Sequence, residues 1–135
     1  MMERYIKYVG TPYVTAGRSL ERDGGLDCWG LVRVIVQDLF NFELPAYEAI
    51  NTHLDINQAS EMLVNTPLYK NCEEVDVAQE GDLLLFNIVG NPLHVGYALS
   101  NTQMIHADRK TGTVVENFRG KKWQTRLYKI YRLKL

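Results

Sequence analysis

The sequence predicts an α+β domain, with N-terminal helices packed on a C-terminal antiparallel β-sheet. Three observations lead there. Cys28, Leu31, Val32, Ile35 and Leu39 recur at helical spacing. After Gly81 the chain breaks into short apolar or alternating runs, "DLLLF", "HVGYALS", "QMIHA", "TVVENF" and "LYKIYRLKL". Helices come first and strands afterwards, which sorts them into two layers instead of a βαβ alternation. A chain of 135 residues buries a core of its own, so residues 1–135 are read as one domain.

Taken in order, Tyr5, Ile6, Tyr8 and Val9 suit a short helix within residues 2–9, which "GTPY" breaks. "AGRSLERDGG" reads as a polar loop. The stretch Cys28 to Phe40 contains "VRVIV", which is β-branched and strand-like, but its length and its 3.6-residue spacing favour a largely buried helix. Asp27 suits the N-cap, because its carboxylate can accept from first-turn amides, and Pro45 in "NFELPAY" is the expected stop. "NQASEMLV", residues 57–64, reads as a second helix, and "TPLYKNCEEVDVAQEGD" as irregular loop. The strands beyond are separated by "NIVGNP", "NT", "DRKTG" and "RGKK", all suited to tight turns.

Composition narrows the function classes. A hydrophobic share of 46% with 23% charged residues is that of an ordinary globular protein. The net charge of -1 supplies no attraction to nucleic acid or to an anionic membrane, so neither is an expected partner. Lys121, Lys122, Arg126, Lys129, Arg132 and Lys134 form the only basic cluster; the later ones alternate with Leu127, Ile130, Tyr131 and Leu133, as on a solvated strand face. No run approaches the roughly 20 apolar residues that span a bilayer. "MMERYIKYVG" lacks the apolar core of a secretory signal, so synthesis in the cytoplasm without a signal peptide is expected. The two cysteines, Cys28 and Cys72, permit one disulfide, but nothing else points to an oxidising compartment and both are expected to be reduced. Cys72 sits in the expected loop without a role, and His53 in polar "NTHLDIN" is expected to be exposed.

The residues that carry chemistry are Cys28, His94 and His106. Singly, a cysteine in an apolar helix is core filler and a histidine is a satisfied polar group. Together they suggest more. Cys28 stands in the first turn of its helix, where unpaired amides and the positive end of the dipole favour a thiolate, the nucleophilic form. A histidine beside it makes an activated pair. A two-residue "NT" hairpin would put His94 and His106 on opposite faces of the sheet, whereas a three-residue loop over Ser100 to Thr102 puts them on one face. A Cys/His/His site requires the second arrangement, on the side of the sheet that carries Cys28, and that is the expectation. Gly30 is read as close packing of the Cys28 helix on the sheet, with Gly96 also near the site.

"DCWGLVRV", "GDLLLF" and "HVGYALSNTQMIHA" together resemble the NlpC-type papain-like cysteine peptidases, which act on peptidoglycan. The upstream "TPY...G...DC.G" resembles the family's approach to its nucleophile. Trp29 after the cysteine and "LPAY" after the helix resemble the phage tail-associated subgroup. The resemblance implies a papain-like α+β core and hydrolysis of peptide bonds in cell-wall stem peptides, commonly beside γ-D-glutamyl. It implies Cys28 as nucleophile, His94 as base and then acid, His106 as the residue orienting His94, and Tyr13 as a hydroxyl near the oxyanion. The Cys28 main-chain N–H is a further expected oxyanion donor, the resemblance implies that Asp27 lies near the substrate's amine unless it only caps the helix, and Trp29 is expected to wall the cleft or pack. No metal or organic cofactor is required. The implied partners are peptidoglycan stem peptide and other phage tail proteins, and the implied location is a virion tail acting at the host wall. Three rival readings are a tail-assembly protein with little or no catalysis, a zinc site on Cys28, His94 and His106, and acyl or amide transfer by the same triad.

Overall fold

A computed structural model of the chain describes residues 2–44, 72–88 and 91–134. The helix expected over 57–64, the exposure of His53 and the stop at Pro45 fall outside those residues. The described parts are four helices, α1 (Glu3–Ile6), α2 (Leu20–Asp23), α3 (Cys28–Phe40) and α4 (Lys121–Gln124), and six strands: β1 (Cys72–Val75), β2 (Leu83–Ile88), β3 (Asn91–Ala98), β4 (Gln103–Asp108), β5 (Gly112–Asn117) and β6 (Leu127–Leu133). The strands form one sheet in the order β1-β6-β2-β3-β4-β5, antiparallel at every pairing. This is the α+β architecture expected from the order of elements.

The helix α3 runs over the expected residues. Asp27 caps it: its carboxylate accepts from the Gly30 N–H at 2.8 Å. It ends at Asn41, which adopts a left-handed conformation (φ 51°) and donates its N–H to the Gln37 carbonyl. Three one-turn or edge elements depart from expectation. "AGRSLERDGG" contains α2, capped by the Ser19 side chain and closed by Gly24 at φ 75°. "RGKK" runs into α4, which buries Trp123. The segment read as loop around Cys72 contains β1, which pairs Cys72 to Val75 with Leu133 to Ile130 of β6.

The sheet is packed on both faces. One face meets α1 and α3 through Leu83, Leu85, Val95, Tyr97, Ile105 and Ala107, with Tyr5, Trp29, Leu31, Val32 and Ile35 opposite. The other face buries Leu84, Phe86, Ala98, Met104 and Ile130 beneath Phe118 and Trp123. A strand with both faces covered reads as a continuous apolar run, which is why "DLLLF" does not alternate. Cys28 and Cys72 are both buried and are not joined by a disulfide.

The segment Gly10 to Val14 is pinned on two sides. Gly10 and Thr11 exchange main-chain hydrogen bonds with Thr113 of β5, and Pro12 and Val14 do so with Leu26. This strap carries Tyr13 across the end of the sheet to the start of α3.

Candidate active site

Each functional side chain is placed by its element. The β3–β4 hairpin closes with Leu99 donating to the Gln103 carbonyl at 2.8 Å, so its loop is Ser100 to Thr102. Ala98 pairs with Met104 and Tyr97 with Ile105, which sets His94 and His106 on one face, as the longer loop predicts. The two imidazoles meet there, with His94 Nε2 2.9 Å from His106 Nδ1. Gly96 lies beside the pair: a Cβ on it would press on the Met104 sulfur and come into ordinary contact with Cβ of His106.

That face is not the one packed by the body of α3. His94 and His106 lie among Phe86 and Trp123, whereas their alternating neighbours Val95, Ile105 and Ala107 face α3. This corrects the expectation that the pair shares the side of α3. The thiol reaches β3 at its main chain instead: the Val95 N–H donates toward Cys28 Sγ. The sulfur therefore lies against the His94–Val95 peptide.

Burial dominates the electrostatics. It pushes the Cys28 thiol up to about 12, helped by the Asp27 carboxylate, and the Val95 and Trp29 amides and Arg18 only partly offset this. The lowered thiol pKa expected from the helix terminus is thus overturned. Burial also carries His94 down to about 3, and the neighbouring His106 works in the same direction. His106 is lowered as well, by burial against the opposing pull of Glu116. The resting pair is a neutral thiol and a neutral imidazole. Burial and the nearby Cys28 raise Tyr13, while the Arg109 guanidinium near its hydroxyl opposes them, so Tyr13 stays a protonated donor.

Asp27 is buried and engaged: besides capping α3 it takes a hydrogen bond from the guanidinium of buried Arg18 at 2.5 Å. Trp29 is 2% exposed and belongs to the core, so it packs and does not wall a cleft. Gly30 does serve close approach, but to the loop and not the sheet: a Cβ there would collide with the Gly17 carbonyl oxygen.

Several residues here escaped the sequence reading. Trp123 stacks on His94 with ring centroids 5.3 Å apart and planes 22° apart, and meets His106 edge-on at 5.1 Å. It shields the imidazole pair from water, which strengthens their hydrogen bond. Glu116 Oε1 lies 2.9 Å from His106 Nε2. Its signal was available: in the β4–β5 hairpin Met104 pairs with Glu116 and His106 with Val114, so His106 and Glu116 share a face at adjacent positions. Arg109, at the turn of the same hairpin, is exposed beside Tyr13. Both nitrogens of His106 are engaged, and no group of three His, Cys, Asp or Glu among the described residues is arranged to hold a metal ion.

Comparison with known proteins bears on this arrangement. The NlpC/P60 family profile matches residues 10–132. The chain is 31% identical over 126 residues to the probable endopeptidase NlpC of Escherichia coli K12, covering 92% of this chain and 70% of that protein. It is 24% identical over 128 residues to the murein DD-endopeptidase MepS/murein LD-carboxypeptidase of the same strain, covering 93% of this chain but only 57% of that protein. Among solved structures, a lipoprotein-like NLP/P60 family protein of Staphylococcus aureus aligns with a TM-score of 0.68 at 26% identity, over 98% of this chain and 39% of that one. With the profile spanning nearly the whole sequence, and with the fold agreeing, the chain belongs to the NlpC/P60 family.

Proposed function

We propose that this chain is a cysteine endopeptidase that hydrolyses peptide bonds in peptidoglycan stem peptides. The observation that carries the reading is the grouping of Cys28 at the start of α3, against the His94–Val95 peptide, with a His94–His106 pair at 2.9 Å. Family membership and the relatives named as endopeptidases support it.

The neutral resting state sets the order of proton transfers. His94 takes the Cys28 proton as sulfur attacks the amide carbonyl, so the thiolate exists only as the bond forms. The Cys28 main-chain N–H, outside the helical ladder by its first-turn position, and the Tyr13 hydroxyl hold the oxyanion. His94 passes the proton to the leaving amine, and the thioester remains on Cys28. His94 then removes a proton from water, which attacks the thioester, and sulfur leaves as the thiol. Asp27 acts in this scheme through the helix cap and Arg18, holding the start of α3 in place.

The setting in a phage or prophage tail, with other tail proteins as partners and the host wall as the place of action, rests on the likeness of Trp29 and "LPAY" to that subgroup. Digestion of purified muropeptides in 18O-labelled water tests the activity. Shortened stem peptides carrying one 18O in the new carboxylate are expected, with loss of at least a thousandfold in rate for Cys28→Ala. Transfer of the acyl group to an amine without 18O would replace hydrolysis by amide transfer, and intact muropeptides from several wall types would overturn the peptidase reading.

A further inference from the structure

Glu116 on β5 stands outside the three residues read as the triad, yet it ends a continuous hydrogen-bonded chain. Its Oε1 is 2.9 Å from His106 Nε2, and His106 Nδ1 is 2.9 Å from His94 Nε2. Few proton arrangements satisfy such a chain. An ionised carboxylate can only accept, so His106 Nε2 carries a hydrogen. A neutral imidazole has one N–H, so His106 Nδ1 is a lone pair and must accept from His94. The His94 hydrogen is then on Nε2, and its lone pair is on Nδ1. That nitrogen is the one nearer the main chain, and Cys28 Sγ lies against the His94–Val95 peptide.

We propose that Glu116 is a positioning residue that fixes the tautomers of His106 and His94, so that His94 presents a basic Nδ1 toward Cys28. The inference rests on the reading of His94 as the base. The surroundings of Glu116 suit the task. Burial raises its carboxyl, but His106, the nearby Trp123 indole and Lys122 outweigh that and keep it ionised. The Lys122 ammonium is 3.9 Å away, and the Trp123 N–H approaches without reaching hydrogen-bond geometry. The Glu116 side chain is 34% exposed and on an edge strand, whereas the His106 imidazole it contacts is buried, so it links a buried ring to a solvated charge. Without the carboxylate the chain can reverse. His106 Nδ1–H would then donate to His94 Nε2, and His94 Nδ1 would hold a hydrogen and could not accept one from the thiol.

The test uses the whole chain labelled with 15N, with long-range 1H–15N spectra of the imidazoles at pH 7. In the wild type both histidines are expected as Nε2–H tautomers. Glu116→Ala is expected to give mixed or Nδ1–H tautomers and about a tenfold fall in kcat with KM within twofold. Glu116→Gln, whose carbonyl can still accept from His106, is expected to fall between the two. A wild-type His94 with its hydrogen on Nδ1, or unchanged tautomers in Glu116→Ala, would overturn the proposal. If Glu116→Ala does not fold, the wild-type and Glu116→Gln spectra decide. Tautomers that shift as described, in a protein that cleaves no muropeptide, would uphold the role of Glu116 and reject the peptidase reading.

Discussion

At Cys28 two effects oppose each other. The helix start favours an anion, typically by 0.3–1 kcal/mol at exposed sites. Burial of a thiolate costs more than that, and the adjacent Asp27 carboxylate adds repulsion. The balance holds the thiol at about 12, well above the ordinary range of a cysteine thiol. Alkylation of Cys28 by iodoacetamide, followed by mass mapping of its peptide, is therefore expected to be slow at pH 7 and to rise tenfold per pH unit through pH 9 without a plateau. A plateau reached by pH 7 would show a preformed thiolate. The sequence made the position of Cys28 and the capping role of Asp27 legible, because both follow from local order along the chain. It did not reveal the direction of the pKa shift, because burial comes from β3, more than 60 residues away. For the same reason Trp29 was ambiguous: the core cluster it joins draws on residues as distant in sequence as Tyr5 and Tyr97.

Elements with a strong period were readable and those held by partners were not. α3 and the strands β2 to β6 announced themselves by spacing and by the turns between them. The strand β1 has four residues and exists only through pairing with β6, about 57 residues further on. The one-turn helices α2 and α4 are too short to show a period. The three-residue β3–β4 loop was legible once chemistry was allowed to choose between turn lengths, and it set the facing of His94 and His106 correctly. What it could not settle was which face α3 covers. Close contact of α3 with the Gly17 loop also needed the structure. Gly30→Ala drives a Cβ into the Gly17 carbonyl oxygen, which is main chain and cannot swing aside. A loss of about 1–3 kcal/mol in stability is expected by urea denaturation, the usual range for overpacking, together with reduced activity because the loop leads to Tyr13 and Asp27. A variant as stable and as active as the wild type would show that the helix start tolerates displacement.

Across the whole molecule the site is a junction of three parts that fold around one another. The strap from Gly10 to Val14 supplies Tyr13, the start of α3 supplies Cys28, and the β3–β4–β5 meander supplies His94, His106 and Glu116. Trp123 closes the far face. None of these parts holds the site alone, and the sheet's pairing brings them to one end. The central claim is that Cys28 carries the acyl group between attack and hydrolysis. Rapid acid quench of the wild type during turnover of a purified muropeptide, followed by intact-protein mass spectrometry and peptide mapping, tests it most directly. The account predicts a transient adduct with the mass of the acyl half of the stem peptide, mapped to Cys28 and absent from Cys28→Ala. Cleavage that continues in Cys28→Ala, with no adduct on Cys28 in the wild type at any time, would contradict it.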